Sequence, residues 1–242
     1  MSDDKYEFEV KRKDDAGNVK FSRYEVPKKE ISTVLEGLLY IKENLDQTLS
    51  MRYSCRMEIC GSCAMEIDGK PKLACSTIAE NVGKDTIKVA PMKHFPVVKD
   101  LVVELDPFFE KYKSGKPFII REGEEKYEAE LPQTPEQFKE YEQYSMCIKC
   151  GLCMAACPIV GSDEEYIGPA PMAAMIRYNL DNRDQGKKYR LEIANVDEGA
   201  SRCHFVGECT EACPKGVDPS FAIQKLRWQG VKHELKKMFG RQ

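Results

Sequence analysis

Alternating apolar and charged residues open the chain and predict a half-buried strand. Tyr6, Phe8 and Val10 alternate with acidic and basic neighbours, as residues do when one face of a sheet is buried. Residues 15–18 have the composition of a turn, and residues 21–26 are a plausible partner strand. The chain is therefore expected to begin with a β-hairpin.

A capping box follows and predicts an amphipathic helix. Thr33 and Glu36 have the spacing at which each side chain satisfies a free backbone amide of the other. Apolar residues then recur at helical spacing, which indicates a helix with one buried face. These residues are Val34, Leu35, Leu38, Leu39, Ile41 and Leu45.

A second hairpin and a last short strand complete the first half of the pattern. Residues 65–73 alternate around an Asp-Gly turn, and Ile87 with Val89 predicts the last short strand. Two hairpins, a crossing helix and a cysteine-containing loop indicate a β-grasp ferredoxin domain over residues 1–105.

Prolines and an acidic run mark residues 106–133. Pro107 is the first of three prolines in this stretch, and the acidic run covers residues 122–130. Such a composition favours loops over regular elements. We predict an ordered connector here.

Helical signals dominate after this connector. Thr134 and Gln137 form a second capping box, and residues 170–181 and 221–239 have helical patterns. No convincing strand pattern follows. Residues 106–242 are therefore expected to form an all-α domain, so the whole chain is predicted to be α+β.

Composition narrows the possible functions. The chain has 242 residues, 32% of them charged, and a net charge of -3, which fits one or two domains and suggests neither nucleic-acid binding nor a long disordered tail. The start of the chain lacks the apolar core of a signal peptide. No stretch approaches the roughly 18 apolar residues of a membrane span. We expect a protein that is soluble alone or peripheral to a membrane component.

The eleven cysteines fall into spaced groups, and none is left over. The first group has the plant-type spacing of a 2Fe-2S ferredoxin. Between two of its cysteines lie Gly61 and Ser62, which suit a tight loop around a cluster. The predicted 2Fe-2S ligands are Cys55, Cys60, Cys63 and Cys75.

The second group has the spacing of a bacterial two-cluster ferredoxin, and Val206 stands where its second copy should have a cysteine. In such pairs the last cysteine of each copy binds the other copy's cluster. The predicted 4Fe-4S ligands are Cys147, Cys150, Cys153 and Cys213. Three ligands remain for the other site, which favours a 3Fe-4S cluster over a 4Fe-4S cluster with a labile fourth ligand. They are Cys157, Cys203 and Cys209.

Zinc is the alternative metal, because Cys-x2-Cys pairs also bind zinc. Zinc would use cysteines in fours and would leave three of the eleven over. It also does not account for Pro158 and Pro214, which follow the last cysteine of each ferredoxin-like copy. Iron–sulfur clusters explain both observations.

The chain resembles the iron–sulfur subunit of the succinate dehydrogenase and quinol:fumarate reductase family over nearly its whole length. The similarity is carried by the cysteine pattern and by several further stretches. The matching stretches are residues 54–63, 72–75, 95–101, 167–170 and 213–219.

This resemblance implies an electron circuit. An FAD-containing flavoprotein subunit would interconvert succinate and fumarate, electrons would pass through 2Fe-2S, 4Fe-4S and 3Fe-4S clusters, and a quinone would react where the chain meets a membrane anchor subunit. The chain would then lie on the cytoplasmic face of the inner membrane. The dicarboxylate site would belong to another subunit, so no catalytic residue is assigned here.

The resemblance also suggests quinone contacts. Pro158 and His204 adjoin ligands of the 3Fe-4S cluster, and Gln224 and Arg227 match polar positions that face the quinone in similar chains. For His204 an ordinary surface histidine is the alternative. A basic last helix could lie against anionic lipid headgroups, or its charges could be merely solvated.

Some positions depart from the family pattern. Glu58 occupies a position in the cluster loop where the family usually has a small residue. Its carboxylate either tunes the cluster or is an ordinary solvated surface group. Gly161 and Ser162 stand where ubiquinone-reducing members have tryptophans, and residues 177–184 look more like fumarate reductases. Fumarate reductase is slightly favoured. A free multi-cluster ferredoxin, or the electron wire of another flavoenzyme such as a thiol-dependent fumarate reductase, is the alternative.

Overall fold

The computed structural model describes residues 4–14, 16–83, 86–122 and 130–240. Parts of the turn expected at 15–18 and of the acidic run expected at 122–130 lie outside these residues. The chain forms two compact units. The first comprises Met1–Leu105 with Ile148–Ala156, and the second comprises Asp106–Cys147 with Cys157–Gln242.

A mixed five-stranded sheet is the centre of the first unit. Its strand order is β2-β1-β5-β3-β4, with β1 antiparallel to β2 and parallel to β5. The predicted alternation in β1 is observed, since Phe8 and Val10 are fully buried. The strands are β1 (Lys5–Lys13), β2 (Val19–Pro27), β3 (Ala64–Ile67), β4 (Lys70–Leu73) and β5 (Thr86–Ala90).

The crossing helix begins at the predicted capping box. The Glu36 amide donates to Thr33 Oγ1 at 3.2 Å, and the Thr33 amide donates to Glu36 Oε2 at 2.9 Å. Helix α1 (Val34–Tyr40) continues as a single π-helical turn, Ile41–Leu45, where a regular helix was expected. A β-carbon at position 37 would lie 2.2 Å from Phe8 Cζ, so glycine allows the helix to pack closely on the sheet.

A small second sheet was missed by the sequence pattern. Strands β6 (Val97–Lys99) and β7 (Val102–Val103) form a short antiparallel pair, so the strand at Ile87 and Val89 is not the last. These strands are too short for alternation to reveal them. Asp100 lies in their turn and accepts hydrogen bonds from the amides of Lys13 and Ser50.

Helices make up the second unit within the described residues. Helix α10 packs against α7 and α8, and α7 also contacts α2 and α4. The helices of this unit are α2 (Asp106–Ser114), α3 (Pro135–Lys139), α4 (Glu142–Ser145), α6 (Pro158–Ser162), α7 (Pro169–Asn179), α8 (Lys187–Ala194), α9 (Glu208–Glu211) and α10 (Pro219–Met238). A sheet unit and a helical unit confirm the α+β prediction.

Helix α2 corrects the prediction of a connector at 106–133. Pro107 occupies an early helical position, where its missing amide is not needed and does not break the helix. Phe108 and Tyr112, four residues apart, are both buried and place one face of the helix in the core. The proline therefore signals the start of a helix.

One short helix near the second cysteine group belongs to the first unit. Helix α5 (Leu152–Ala156) contacts β4, and Leu152 and Ala155 are buried in the core of the sheet unit. No described helix is both long and apolar enough to cross a membrane.

A buried arginine joins β1 to the chain segment that leads to the first cysteine. Arg12 faces the same side of β1 as Phe8 and Val10, and it is 7% exposed. Its Nη1 donates to Asp46 Oδ2 at 2.7 Å, and its Nε lies 2.7 Å from Asp100 Oδ1. Buried charges need such partners, because removing one partner leaves the other charge uncompensated.

The acidic partner in this network is strongly stabilised as a carboxylate. Hydrogen bonds from Thr48 and Tyr24, together with Arg12, hold the pKa of Asp46 well below its usual range despite partial burial. The stabilisation is present above the ordinary aspartate pKa and is lost as the pH falls toward the depressed value. The network thus makes the first unit more sensitive to acid.

Replacing Arg12 tests how strongly this network holds the first unit. Arg12→Ala should lower the free energy of unfolding by about 3 kcal/mol, because Asp46 and Asp100 lose their buried counter-charge. Thermal and denaturant unfolding would measure the change. Lys5→Ala, which removes the exposed pair with Glu25, should leave stability unchanged; equal effects of the two variants would contradict the assigned role.

Candidate iron–sulfur sites

Backbone amides converge on the sulfur of the first cysteine. Cys55 Sγ accepts from the amides of Met57, Ile59 and Cys60 at 3.5, 3.3 and 3.2 Å. A neutral thiol does not need three donors, whereas a thiolate bound to iron is stabilised by them. This loop is therefore shaped to hold negatively charged sulfur.

The same loop reaches the fourth predicted ligand through Glu58. The Glu58 amide donates to Cys75 Sγ at 3.3 Å, and the backbone at Glu58 is left-handed, with φ of 59°. That conformation favours glycine over other residues. The contact to Cys75 comes from the main chain and does not depend on the glutamate side chain.

Two further cysteines of this group have opposite environments. The Ser62 hydroxyl lies 3.1 Å from Cys60 Sγ, and this contact, with nearby amides, lowers the pKa of Cys60 to about 6. Burial raises the pKa of Cys63 to about 12, with further contributions from Cys75. A buried thiolate needs a neighbouring positive charge, and iron would supply it.

The first cysteine loop packs directly against part of the second cysteine group. Gly61 is left-handed, and a β-carbon there would lie 2.7 Å from Cys150 Cβ. Only glycine permits this approach without displacing the neighbouring backbone. The 2Fe-2S loop and a predicted 4Fe-4S ligand are therefore in van der Waals contact.

The predicted 4Fe-4S ligands are all partly exposed. Cys150 and Cys153 belong to the first unit, and Cys147 and Cys213 belong to the second. Their assignment to one cluster stays a prediction from the spacing.

The remaining three cysteines line one pocket in the second unit. Cys157 and Cys209 are 9% and 7% exposed, and Cys203 is partly exposed. The pocket encloses about 340 Å³, including solvent at its mouth. Its other lining residues are Pro158, Ile159, Tyr166, Pro169, His204, Phe205, Val206, Gly207, Glu208, Ser220 and Ile223.

The loop after Cys203 places Val206 in the pocket wall. Phe205 and Gly207 on either side both have left-handed backbones, with φ of 57° and 91°, and the Phe205 amide donates to Cys203 Sγ at 3.3 Å. The loop therefore folds around the sulfur as in the first site, and presents an apolar side chain at the position of the missing cysteine.

A hydrogen-bonded network holds the helix of Cys209 against α10. Thr210 Oγ1 donates to Asp218 Oδ1 at 2.6 Å, and Ser220 Oγ donates to the same oxygen at 2.8 Å. Asp218 also caps α10 by accepting from the Phe221 amide. Burial opposes ionisation, but these bonds together keep the pKa of Asp218 below its usual value. Asp218 directly before Pro219 is a helix-start signal in the sequence. The signal predicts the cap on α10, but the bonds to Thr210 and Ser220 were not predicted.

The structure separates the four predicted quinone contacts into two pairs. Pro158 and His204 line the pocket and are exposed. Gln224 and Arg227 are not among its lining residues. The Arg227 guanidinium instead donates to three backbone carbonyls, those of Ala200, Ser201 and Cys203, at 2.8, 2.9 and 2.5 Å.

The donors and cysteines fit iron–sulfur clusters. No set of three or more His, Cys, Asp or Glu side chains in the described ranges is arranged to hold one metal ion. Backbone amides face Cys55, Cys75 and Cys203, and such amides are a recurrent feature of iron–sulfur sites.

Two family models match the chain in the expected places. A 2Fe-2S iron-sulfur cluster binding domain matches residues 7–110, and a 4Fe-4S dicluster domain matches residues 143–217. These matches cover the first cysteine group and all of the second.

Relatives match the chain over most of its length. A fumarate reductase iron-sulfur subunit of Mycobacterium tuberculosis is 48% identical, covering 90% of this chain and 89% of that protein. A mitochondrial succinate dehydrogenase [ubiquinone] iron-sulfur subunit of Candida glabrata is 38% identical, covering 81% and 78%. A chain in the Mycobacterium smegmatis Sdh1 complex in the apo form has a TM-score of 0.86 and 25% identity, covering 96% and 97%.

The contacts of Arg227 predict that it holds the Cys203 turn. Arg227→Ala removes charge-assisted hydrogen bonds to three carbonyls, and it should destabilise the second unit by about 2 kcal/mol and reduce the iron retained at the third site. Thermal unfolding and iron analysis after desalting would measure both effects. Lys232→Ala, on the same helix and exposed, should change neither; full iron content and stability in Arg227→Ala would contradict the assignment.

Proposed function

The chain belongs to the family of iron–sulfur subunits of fumarate reductase and succinate dehydrogenase, and we propose that it conducts electrons between a flavoprotein that interconverts succinate and fumarate and a quinone in the membrane. The observation that carries this proposal is the pair of cysteine loops whose backbone amides face sulfur, at Cys55 and at Cys203, in one short chain. When bound, iron–sulfur clusters accept and release single electrons.

The chain's own residues set the order of the path. Gly61 brings the 2Fe-2S loop against Cys150, so the first two sites are neighbours. The pocket of Cys157, Cys203 and Cys209 takes the third cluster, for which we propose the 3Fe-4S type because Val206 replaces a fourth thiolate. The amides that face Cys55 and Cys203 stabilise negative charge on these sulfurs, and Val206 places an apolar side chain beside the third site.

An FAD-containing flavoprotein subunit is the proposed partner at the first site. Met57 and Ile59 in the 2Fe-2S loop are 69% and 57% exposed. Large apolar side chains beside a redox site are typical of a surface that another protein covers. Electrons would enter the chain at this loop.

A membrane anchor subunit is the proposed partner of the second unit. Four exposed apolar residues on α10 share one helical face, being spaced by three, four and three residues. They are Trp228, Val231, Leu235 and Met238. Peripheral association through this face, on the cytoplasmic side of the inner membrane, would bring the pocket with Pro158 and His204 to the quinone.

Fumarate reduction is the proposed physiological direction. The fumarate reductase relative is 48% identical, and the succinate dehydrogenase relative is 38% identical. Gly161 and Ser162 also replace the tryptophans of ubiquinone-reducing members. The cysteine pattern left two alternatives open, a free multi-cluster ferredoxin and the electron-transfer subunit of another flavoenzyme. The relatives described above belong to neither class.

Cluster content tests the proposal directly. Anaerobically purified protein should contain about nine iron atoms and a matching amount of acid-labile sulfide, as the three cluster types require. The oxidised protein should show a three-iron electron paramagnetic resonance signal. Stoichiometric zinc with little sulfide would overturn the function.

Restoring the missing cysteine should change the third site alone. Val206→Cys should convert it toward a four-iron cluster, because a fourth thiolate becomes available, and should lower its potential. Quinone-linked activity should then fall more than dye-linked succinate–fumarate activity. Val206→Ala is the matched control and should keep the three-iron signal. Loss of both activities together in Val206→Cys would indicate misfolding.

Quinone turnover should depend on His204. A histidine can relay a proton near neutral pH, so His204→Ala should slow quinol oxidation and quinone reduction while dye-linked activity and all clusters are retained. His94→Asn is a control in the first unit, where asparagine tolerates the left-handed backbone, with φ of 64°. Unchanged quinone kinetics in His204→Ala would assign the pocket's protonation chemistry to other residues.

A further inference from the structure

Tyr166 is a buried phenol beside the three-cysteine pocket. Its side chain is fully buried, and it lines the pocket together with Cys157, Cys203 and Cys209. The residue lies in the loop between α6 and α7. The sequence analysis did not single it out, although it directly precedes a stretch shared with the family.

The backbone around Tyr166 is fixed on both sides. Lys111 Nζ donates to the Tyr166 carbonyl at 2.9 Å, and the Ile167 amide donates to the Glu198 carbonyl at 3.0 Å. These bonds tie the loop to helix α2 and to the segment after α8. The position of the ring therefore follows from the fold and does not depend on rotation of an exposed loop.

Among the residues that the structure describes, none meets the distance and angle of a normal hydrogen bond to the Tyr166 hydroxyl. Apolar residues of the same pocket include Ile159, Pro169 and Ile223. A buried hydroxyl without an acceptor is destabilising. The Cys203 side chain makes a weak hydrogen-bond contact with the hydroxyl, so sulfur is the acceptor that we assign to it.

The phenol can act as a hydrogen-bond donor through its hydroxyl. Tyr166 is fully buried in the wall of the pocket that Cys157, Cys203 and Cys209 also line. It therefore presents a buried donor beside the sulfur ligands.

We propose that the Tyr166 hydroxyl donates a hydrogen bond to a sulfur of the three-iron cluster and raises its reduction potential. The inference rests on the proposed function, because it requires a cluster held by Cys157, Cys203 and Cys209. One electron enters the site on reduction, and the phenol proton stays on its oxygen. The added negative charge on sulfur strengthens the bond, so the donor stabilises the reduced state more than the oxidised state.

Removing this donor should make the cluster harder to reduce. Tyr166→Phe should lower the equilibrium constant for one-electron reduction about tenfold, equal to a potential shift of about 59 mV for a one-electron couple. A redox titration of the intact complex, followed by the three-iron resonance signal, would measure it. An unchanged potential in a variant that retains the signal would overturn the proposal.

Tyr144→Phe provides a matched control in the same unit. Tyr144 is 3% exposed, and its hydroxyl also has no hydrogen-bond partner among the described residues. Burial raises its pKa to about 12 with a contribution from Asp218, and no cysteine is among the groups that shift it. Tyr144→Phe should leave the three-iron potential unchanged. An equal shift in both variants would show a general packing effect and would overturn the specific role of Tyr166.

Double resonance of the oxidised protein gives a second readout. After exchange into deuterium oxide, the deuterium on the Tyr166 hydroxyl should couple to the three-iron signal. Tyr166→Phe has no hydroxyl and should lack this coupling. If Tyr166→Phe does not retain the cluster, 3-fluorotyrosine can replace tyrosine in the unmutated chain. The stronger donor should then raise the three-iron potential, and no rise would overturn the proposal. Absence of any three-iron signal from the unmutated chain would instead refute the proposed function.

Discussion

The structure depends on compensating the negative charge of thiolates that lie partly or wholly out of water. A buried thiolate is unstable without donors or cations. At the first site, Cys55 receives three backbone amides and Cys75 receives one, and at the third site Cys203 receives the Phe205 amide. Directing several amides inward requires left-handed backbone, which is why Glu58, Phe205 and the loop glycines adopt it.

The features that the sequence predicted are those with a local cause. Cysteine spacing, the capping box at Thr33 and the alternation around Phe8 each follow from neighbours in the chain. Helix α2, the strands β6 and β7 and the Arg12 network were missed because they depend on tertiary contacts. Arg12 stands at an inward position of β1, but its partners Asp46 and Asp100 are distant in sequence. Tyr166 has no local signal, since an isolated tyrosine predicts only a partly buried side chain.

The third site shows how polar residues that seem available for a ligand can be needed by the fold. The family resemblance predicted Arg227 as a quinone contact. In the structure its guanidinium is occupied by the carbonyls of Ala200, Ser201 and Cys203. Asp218 similarly combines a helix cap with a clamp on the helix of Cys209. His204 and Pro158, by contrast, are exposed and line the pocket.

The first unit includes Ile148–Ala156, and this has a consequence for how the protein is made. Leu152 and Ala155 complete the core of the sheet unit, yet they leave the ribosome about 50 residues after its main part, a delay of about 3–10 s at ordinary rates of synthesis. Until then the 2Fe-2S loop lacks its cover at Cys150. The first cysteine loop of the nascent chain therefore stays uncovered at Gly61 until residues 148–156 have been synthesised.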